Sequence, residues 1–417
     1  MLSANIELYD DDRRVRRADL SGLTGSIFGR RPSRNAQVAS APCGLAPKFW
    51  GQLILRIFQN VSAGRRYGPT LKTLLSTQTT FARKLAAFHS NAYDAAHTLG
   101  PVLAGEERAF YTQGDNAEVQ RAWARENGLP ARTTLDDILL AQIEAHKADV
   151  FYNLDLDNFD GRFARRLPGT VRARIGWHAA PATRTDWTGY LMVNNFPAIL
   201  EVFRSRGLRA AYFAPAHDPA LDAYAQNEQR DIDVLFVGGY SQYHTKRVAV
   251  LEAVAALNGK HRVVFALARS RLNRIAETPL GVLGPLRQYC RPERIRAVTQ
   301  EPAFGRAYYD LLARSKIVLN GAIDMAGNDR GNMRCWEALG ARTLLLSDAG
   351  HYPAGMVDGE TIRTYRSPRH AIELIADSLG NVEGCRGVAA AGHDMIRTRY
   401  SKAAQWASFQ RLVVEHF

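Results

Sequence analysis

The sequence predicts an α/β chain built from two Rossmann-like domains, and three observations carry that reading. Apolar runs of strand length alternate with segments of helical spacing. The alternation forms two series, one from residue 69 and one from residue 232, with the polar stretch HDPALDAYAQNEQRD (217–231) between them. The second series opens on a buried-type strand that closes on paired glycines, FVGG (236–239). Such alternation makes a parallel sheet covered by helices, and two such units joined by a linker face each other across a cleft. The expected organisation is a basic N-terminal extension (1–68), a first Rossmann-like domain (69–225) and a second one (226–390).

Each element has a local reason. In the extension, FWGQLILRIFQNV places Phe49, Trp50, Leu53, Ile54, Ile57, Phe58 and Val61 on one helical stripe. That stripe is expected to pack on the body of the protein. The alternative is a membrane or partner contact through residues 48–66, where Lys48, Arg56, Arg65 and Arg66 lie. LKTLLST is expected as the first strand. TTFARKLAAFHSNAYDAAHTLG has helical spacing and a glycine stop. Thr134 with Asp137 forms a capping arrangement for DDILLAQIEAHKA. ADVFYNL, RARIGWH, YLMVNN and AAYFAP read as strands, with FPAILEVFRSRG as the helix between the last two. In the second series DVLFVGG, HRVVFAL, KIVLN, RTLLLSD and TIRTY are the strands, and KRVAVLEAVAALNG, NMRCWEALG and RHAIELIADSLG the helices.

Composition narrows the function. With 417 residues, 46% hydrophobic and 23% charged, the chain is globular rather than disordered. Its net charge of +13 calls for an anionic partner. The charge is uneven: residues 1–68 carry +6, residues 69–230 are neutral, and residues 231–417 carry +7. Cys43, Cys290, Cys335 and Cys385 are scattered with no CxxC pair, which argues against a zinc site or disulfide framework and fits a reducing compartment. The N-terminus carries acids where a signal peptide needs a basic patch, and no run approaches the roughly 20 apolar residues that cross a bilayer. A cytoplasmic chain, at most peripheral to the inner face of the membrane, is expected.

In open parallel sheets ligands bind beyond the carboxyl ends of the strands, so the chemistry is sought there. Gly238 and Gly239 let a ligand approach the backbone, and the helix that follows, with His244 and Arg247 at its start, can direct amides at a phosphate. Neither GxGxxG nor GxxxxGK[ST] is present, which disfavours dinucleotide and P-loop enzymes. In SKIVLNGAIDMAGNDRGNMRCWEALG a strand ends at Asn320 and a helix opens near Asn332. Arg334 and Glu337, three apart, share one face of that helix. An arginine and helix-start amides can take a diphosphate, and a carboxylate can accept hydrogen bonds from both ribose hydroxyls. That is a chemical fit to a nucleotide-sugar, although the same spacing also makes ordinary surface ion pairs. His178, at a strand end, can act as a base on an acceptor hydroxyl, with Asp155 and Asp157 as alternatives. Asp155-Leu-Asp157 also has the form of a DxD metal motif. Eight arginines lie between residues 262 and 296, and Arg269 is the one placed to reach a donor phosphate. The run lacks interleaved stacking aromatics, which argues against nucleic acid.

The segment from Ser315 resembles the donor-site signature of GT-B glycosyltransferases, especially the CgeB-like (spore-maturation) branch. The matching residues are Ser315-Lys316-Ile317, Leu319-Asn320, Arg334 and Trp336-Glu337-Ala338-Leu339, with Gly340 one place early. The stretches DIDVLFVGG, IGWHAAP and FRSRGLRAAYFAPAHDP fit the family's pattern in order, and RTRYSKAAQWASFQRLV resembles its terminal helix. The resemblance implies a GT-B fold in which a crossover segment (391–417) packs back on the first domain. It also implies transfer of a sugar from a UDP-, GDP- or similar donor to a glycan, lipid-linked or protein acceptor, without cofactor or divalent metal. Glu337 would hold the ribose; Arg334 and the helix start would meet the diphosphate; Arg330 would add charge to that site. Arg330 stands where glycogen-synthase-like retaining enzymes often carry a second glutamate, so the resemblance leaves the stereochemistry open. The competing expectations are a GT-B sugar-nucleotide epimerase and a non-enzymatic protein that binds anionic surfaces or nucleic acid.

Overall fold

The computed structural model describes residues 55–64, 66–180, 185–240, 244–269, 271–279, 281, 285–321 and 326–417. Residues 1–54, which hold most of the extension, and Arg65 lie outside them. Among the described residues two six-stranded sheets are found, and every strand pair is parallel. The first contains β1 (Ile57–Val61), β2 (Ala109–Gln113), β3 (Val150–Asn153), β4 (Ala173–Trp177), β5 (Leu191–Asn194) and β6 (Ala210–Tyr212), in the order β2-β1-β3-β4-β5-β6. The second contains β7 (Ile232–Gly239), β8 (Val263–Ala268), β9 (Thr299–Gln300), β10 (Ser315–Leu319), β11 (Leu344–Asp348) and β12 (Arg363–Tyr365), in the order β12-β11-β10-β7-β8-β9. Strand order reverses between β1 and β3 in the first sheet and between β7 and β10 in the second. Those reversals open crevices at the carboxyl ends of the strands.

Helices cover both faces. Those of eight residues or more are α1 (Gly68–Ser76), α2 (Phe81–Asn91), α3 (Ala117–Glu126), α4 (Leu135–His146), α5 (Pro197–Ser205), α6 (Thr245–Ala255), α7 (Arg306–Ala313), α8 (Met333–Gly340), α9 (Pro368–Gly380), α10 (Val382–Arg399) and α11 (Lys402–His416). The Thr134 hydroxyl accepts from the Asp137 amide and caps α4, as the sequence predicts.

Two expectations at the N-terminal end are corrected. Ile57–Val61 is not a helix but a fully buried strand next to the first switch point, paired with both β2 and β3. The first domain therefore begins before residue 69. Ile57, Phe58 and Val61 are closed inside the sheet, so they form no part of a membrane or partner surface. LKTLLST, expected as a strand, lies in α1, where Pro69 occupies the first turn and Leu71 and Leu75 face the core one turn apart. β2, β9, α3 and α7 were not anticipated from the sequence.

The chain end ties the domains together. α10 packs on α8 and β11 of the second domain. After Tyr400 the chain crosses to the first domain, so the crossover falls some ten residues beyond the expected boundary at 391. There the Phe409 ring, fully buried, packs edge-on against Tyr152 (5.1 Å) and Phe213 (5.7 Å). Gln405 donates to the Ala96 carbonyl (3.0 Å), and Lys402 Nζ donates to those of Ala95 (2.5 Å) and Thr98 (2.8 Å). Replacing Phe409 with Ala removes this anchor. It should lower stability in urea by about 3 kcal/mol, whereas Val414→Ala, on the exposed side of the same helix, should change it by less than about 0.5 kcal/mol.

Candidate functional site at the second switch point

The second crevice is built by β7, β10 and the start of α8. β7 ends on Gly238-Gly239 and β10 on Leu319, followed by Asn320. Asn320 is the hub. Its side-chain amide donates to Asn332 Oδ1 (3.1 Å) and Ser347 Oγ (3.1 Å), its Oδ1 accepts from Asn332 (3.0 Å) and from Arg334 Nη1 (3.2 Å), and its carbonyl accepts from the Tyr365 hydroxyl (2.7 Å). Asn332 is the residue before α8, yet its side chain turns to Asn320 and does not cap the helix. The first-turn amides of α8 are left without a side-chain acceptor, the arrangement that favours an anion.

Arg334 is the central cation. It is 7% exposed, and its guanidinium carbon lies 5.4 Å from the centre of the Phe236 ring. A Cβ at Gly238 would fall 2.5 Å from Arg334 Nη2, so the glycine is what makes room for the guanidinium. Among the described residues no carboxylate oxygen comes within 4 Å of it, and its Nε has no hydrogen-bond partner. A buried guanidinium without a counter-ion is costly to hold unless a ligand supplies the negative charge. Glu337, one turn along α8, stands beside the Tyr308 hydroxyl. Burial pushes its carboxyl up to about 7, against the opposing pull of Arg334 and Tyr308, while part of the side chain remains accessible from the cleft.

The other residues singled out in the sequence occupy different settings. Arg247, in the first turn of α6, packs its aliphatic stem against Gly321, just past the end of β10, and His244 immediately precedes that helix. Arg330 is turned to the Asp348 carboxylate (2.6 Å) and to the carbonyls of Gly327 and Asp329 (3.0 Å each), so its charge is compensated within the protein. Arg269, at the end of β8, pairs with Glu301.

In the first domain His178 follows β4. Its Nδ1 lies 2.8 Å from the Ala180 carbonyl and its Nε2 lies 3.7 Å from Asp157, with the ring packed on Trp187. The interaction with His178 holds the Asp157 carboxyl below its ordinary range. Asp155, at the first switch point, is buried and accepts from the Asn158 amide (2.9 and 3.1 Å); burial raises it to about 6. The two carboxylates thus face different partners, and no group of three or more metal-ligating side chains occurs among the described residues.

A polar seam joins the two halves. Asn195, after β5, donates to the Gly331 carbonyl (2.6 Å), and Asp329 accepts from the Ala198 amide (2.6 Å), capping α5 from the opposite domain. Asn194 meanwhile holds the His178 carbonyl (2.6 Å), so His178 stands two hydrogen bonds from the approach to α8.

Sequence reasoning missed the turn after α2. There Asp94 is buried and raised to about 6 by burial, and its negative charge is felt at Glu337. His97 is 1% exposed, packs on Trp177 (4.5 Å between ring centres), has no partner at either ring nitrogen, and is held well below its ordinary pKa by burial. Burial also lowers the clamping Lys402 to about 7. The only signal was Asp94 and His97 three apart within a segment that reads as one helix.

With this geometry in place, comparison with known proteins bears on the fold and on the second domain. Residues 262–411 match the family described as "Glycosyl transferase-like", a span that includes Asn320, Arg334 and Glu337 but not the glycine turn. No curated protein matches the chain. Among solved structures the chain is similar to Anabaena Alr3699/HepE, in complex with UDP-glucose, at 12% identity over 87% of this chain and 100% of that one, with a TM-score of 0.50. It is also similar to AviGT4, a glycosyltransferase involved in avilamycin A biosynthesis, at 16% identity over 86% of this chain and 96% of that one, again with a TM-score of 0.50. The chain has the GT-B fold, and its second domain carries a glycosyl transferase-like segment.

Two outcomes follow from the crevice. Gly238→Ala should displace the Arg334 guanidinium and lower the melting temperature while leaving the circular dichroism spectrum unchanged. Because the Glu337 carboxyl is raised in the fold from about 4.5 to about 7, its contribution to stability is full below about 4.5 and lost as pH rises through about 7. The melting temperature of the native protein, taken relative to that of Glu337→Gln, should fall across this window and level off above it.

Proposed function

We propose that the protein is a glycosyltransferase that binds a nucleotide-diphosphate sugar in the β7–β10 crevice and passes the sugar to an acceptor hydroxyl presented by the first domain. The observation that carries the reading is Arg334, a buried guanidinium with no carboxylate partner, aimed beside uncapped amides of α8. A diphosphate supplies the missing charge, and the same cation and amides stabilise the charge that develops as the diphosphate leaves. The ionised Glu337 carboxylate accepts hydrogen bonds from the ribose hydroxyls.

Because Arg334 and the helix start already provide positive charge for the leaving group, the transfer is metal-independent in this reading. Gly238, Gly239, Asn320, Asn332 and Arg247 shape the donor side, with His244 at the rim, and Arg330 acts through its carboxylate partner, whereas Arg269, paired with Glu301, lies outside the crevice. On the acceptor side the proton leaves to His178, oriented by Asp157, with Asp155 beside them. Asp94 competes for that role because it is felt electrostatically at Glu337. The acceptor is a glycan, a lipid-linked sugar or a protein, and the match to the CgeB-like signature is part of the same proposal.

A panel of UDP, GDP and ADP tests the donor assignment. One of them should raise the melting temperature of the protein, the shift should survive EDTA, and Glu337→Ala and Arg334→Ala should each abolish it. Persistence of the full shift in both variants would sink the assignment. For the base, His178→Ala should lower kcat about 10²-fold or more with little change in KM for the donor; if Asp94→Asn does so instead, the role passes to Asp94.

A further inference from the structure

The arginine run between residues 262 and 296 has a structural destination that the donor crevice does not use. Arg269, Arg274, Glu277, Arg291, Arg296 and Thr299 line a pocket of about 330 Å³ at the outer edge of the second domain, beside β8 and β9. None of these residues contacts Asn320, Arg334 or Glu337 in the hydrogen-bonding network described above. Arg291 forms the floor. It is 3% exposed and is fixed by Glu277 in a two-pronged pair, Nε to Oε1 at 2.5 Å and Nη2 to Oε2 at 3.0 Å. The remaining nitrogen, Nη1, is buried with no partner. Arg269 is partnered by Glu301, whereas Arg274 and Arg296 have no ion-pair or hydrogen-bond partner for their guanidinium groups among the described residues. Four guanidinium groups thus converge against two carboxylates, and two of the four are left free on the rim.

Arginines repel one another, and their gathering around a concave site is unfavourable unless an anion occupies it. Guanidinium forks suit oxyanions because they donate parallel hydrogen bonds to two oxygens. The volume exceeds that of a single phosphate and accommodates two linked ones or a phosphate with a small organic body. We propose that this pocket is a second anion site, separate from the donor crevice, that takes a multiply charged phosphate or pyrophosphate group. Arg291 forms its fixed floor, and Arg274 and Arg296 close over the ligand. The group can come from a soluble phosphorylated molecule or from a phosphate-bearing lipid headgroup.

The test uses the full chain and inorganic pyrophosphate, with ionic strength held constant by sodium chloride. Pyrophosphate should raise the melting temperature of Arg334→Ala as well as of the wild type, since the second site does not depend on the cation of the donor crevice. The Arg274→Ala/Arg296→Ala double variant, altered only at exposed positions, should bind pyrophosphate about tenfold or more weakly and keep the same stabilisation by the nucleotide that stabilises the wild type. In parallel, sedimentation with phosphatidylglycerol vesicles and with neutral phosphatidylcholine vesicles separates the two sources. Binding of the anionic vesicles that the double variant loses identifies a headgroup; a pyrophosphate effect without vesicle binding identifies a soluble ligand. Loss of the pyrophosphate effect in Arg334→Ala would place the anion in the donor crevice and overturn the proposal. So would an unchanged pyrophosphate affinity in the double variant, or the absence of both pyrophosphate and vesicle binding in the wild type. Should the nucleotide panel fail while the pyrophosphate result holds, the donor reading falls and the second site stands.

Discussion

A positive charge held away from water without a negative partner is the constraint around which the second domain is arranged. Glu337, one turn along the same helix, does not neutralise Arg334: it is partly exposed, stands beside the Tyr308 hydroxyl, and has its carboxyl raised to about 7. The guanidinium is instead held by weak, neutral contacts: an amide oxygen of Asn320, the face of Phe236 and the open flank of Gly238. Phe236 and Gly238 lie on β7 and Asn320 follows β10, the two strands between which the sheet order reverses. The topology is therefore what allows a cation with no carboxylate partner among the described residues to be buried, and that cation is what leaves the crevice positively charged.

The first domain solves a related problem with amides. At its switch point Asn60 on β1 donates to Asn153 on β3 (2.9 Å) and accepts from the Gly114 amide after β2 (2.8 Å). Gln59, beside it, donates to the His97 carbonyl (3.1 Å) and accepts from the Leu99 amide (3.1 Å). These two buried amides stitch three strand ends and the Asp94–His97 turn into one rigid rim. Further along the same sheet, beyond β5, the first domain meets the second through polar contacts, Asn195 to Gly331 and Asp329 to the start of α5.

Those same amides explain where the sequence misleads. Gln59 and Asn60 interrupt an apolar run, and with Phe49 to Val61 otherwise spaced at three and four the pattern reads as an amphipathic helix. A strand covered on both faces need not alternate, and its polar residues can be spent internally on neighbouring backbone. LKTLLST fails in the opposite direction, since a short apolar run cannot be told from a helix segment by periodicity alone. By contrast the β7 to α8 region was legible, because Gly238, Asn320, Arg334 and Glu337 each do a local job that few other residue types can do. Arg330 and Arg269 were placed near the right strand ends, but their carboxylate partners, Asp348 and Glu301, are distant in sequence or ordinary in composition. Asp94 and His97 left almost no trace because their meaning arises only when α2 ends and α11 returns from the far end of the chain.

That return has a mechanical side. The polypeptide passes between the domains twice, once through the linker near His217 and once at Tyr400, and the two passages touch: the His217 amide donates to the Tyr400 carbonyl at 2.7 Å. Two strands of chain crossing at one spot form a pivot rather than a pair of separate tethers. Rotation of one half against the other about this spot leaves both sheets intact, but it has to part the seam at Asn195 and Asp329 and also the contacts that Phe304, Arg306 and Tyr309 make with the region around α2.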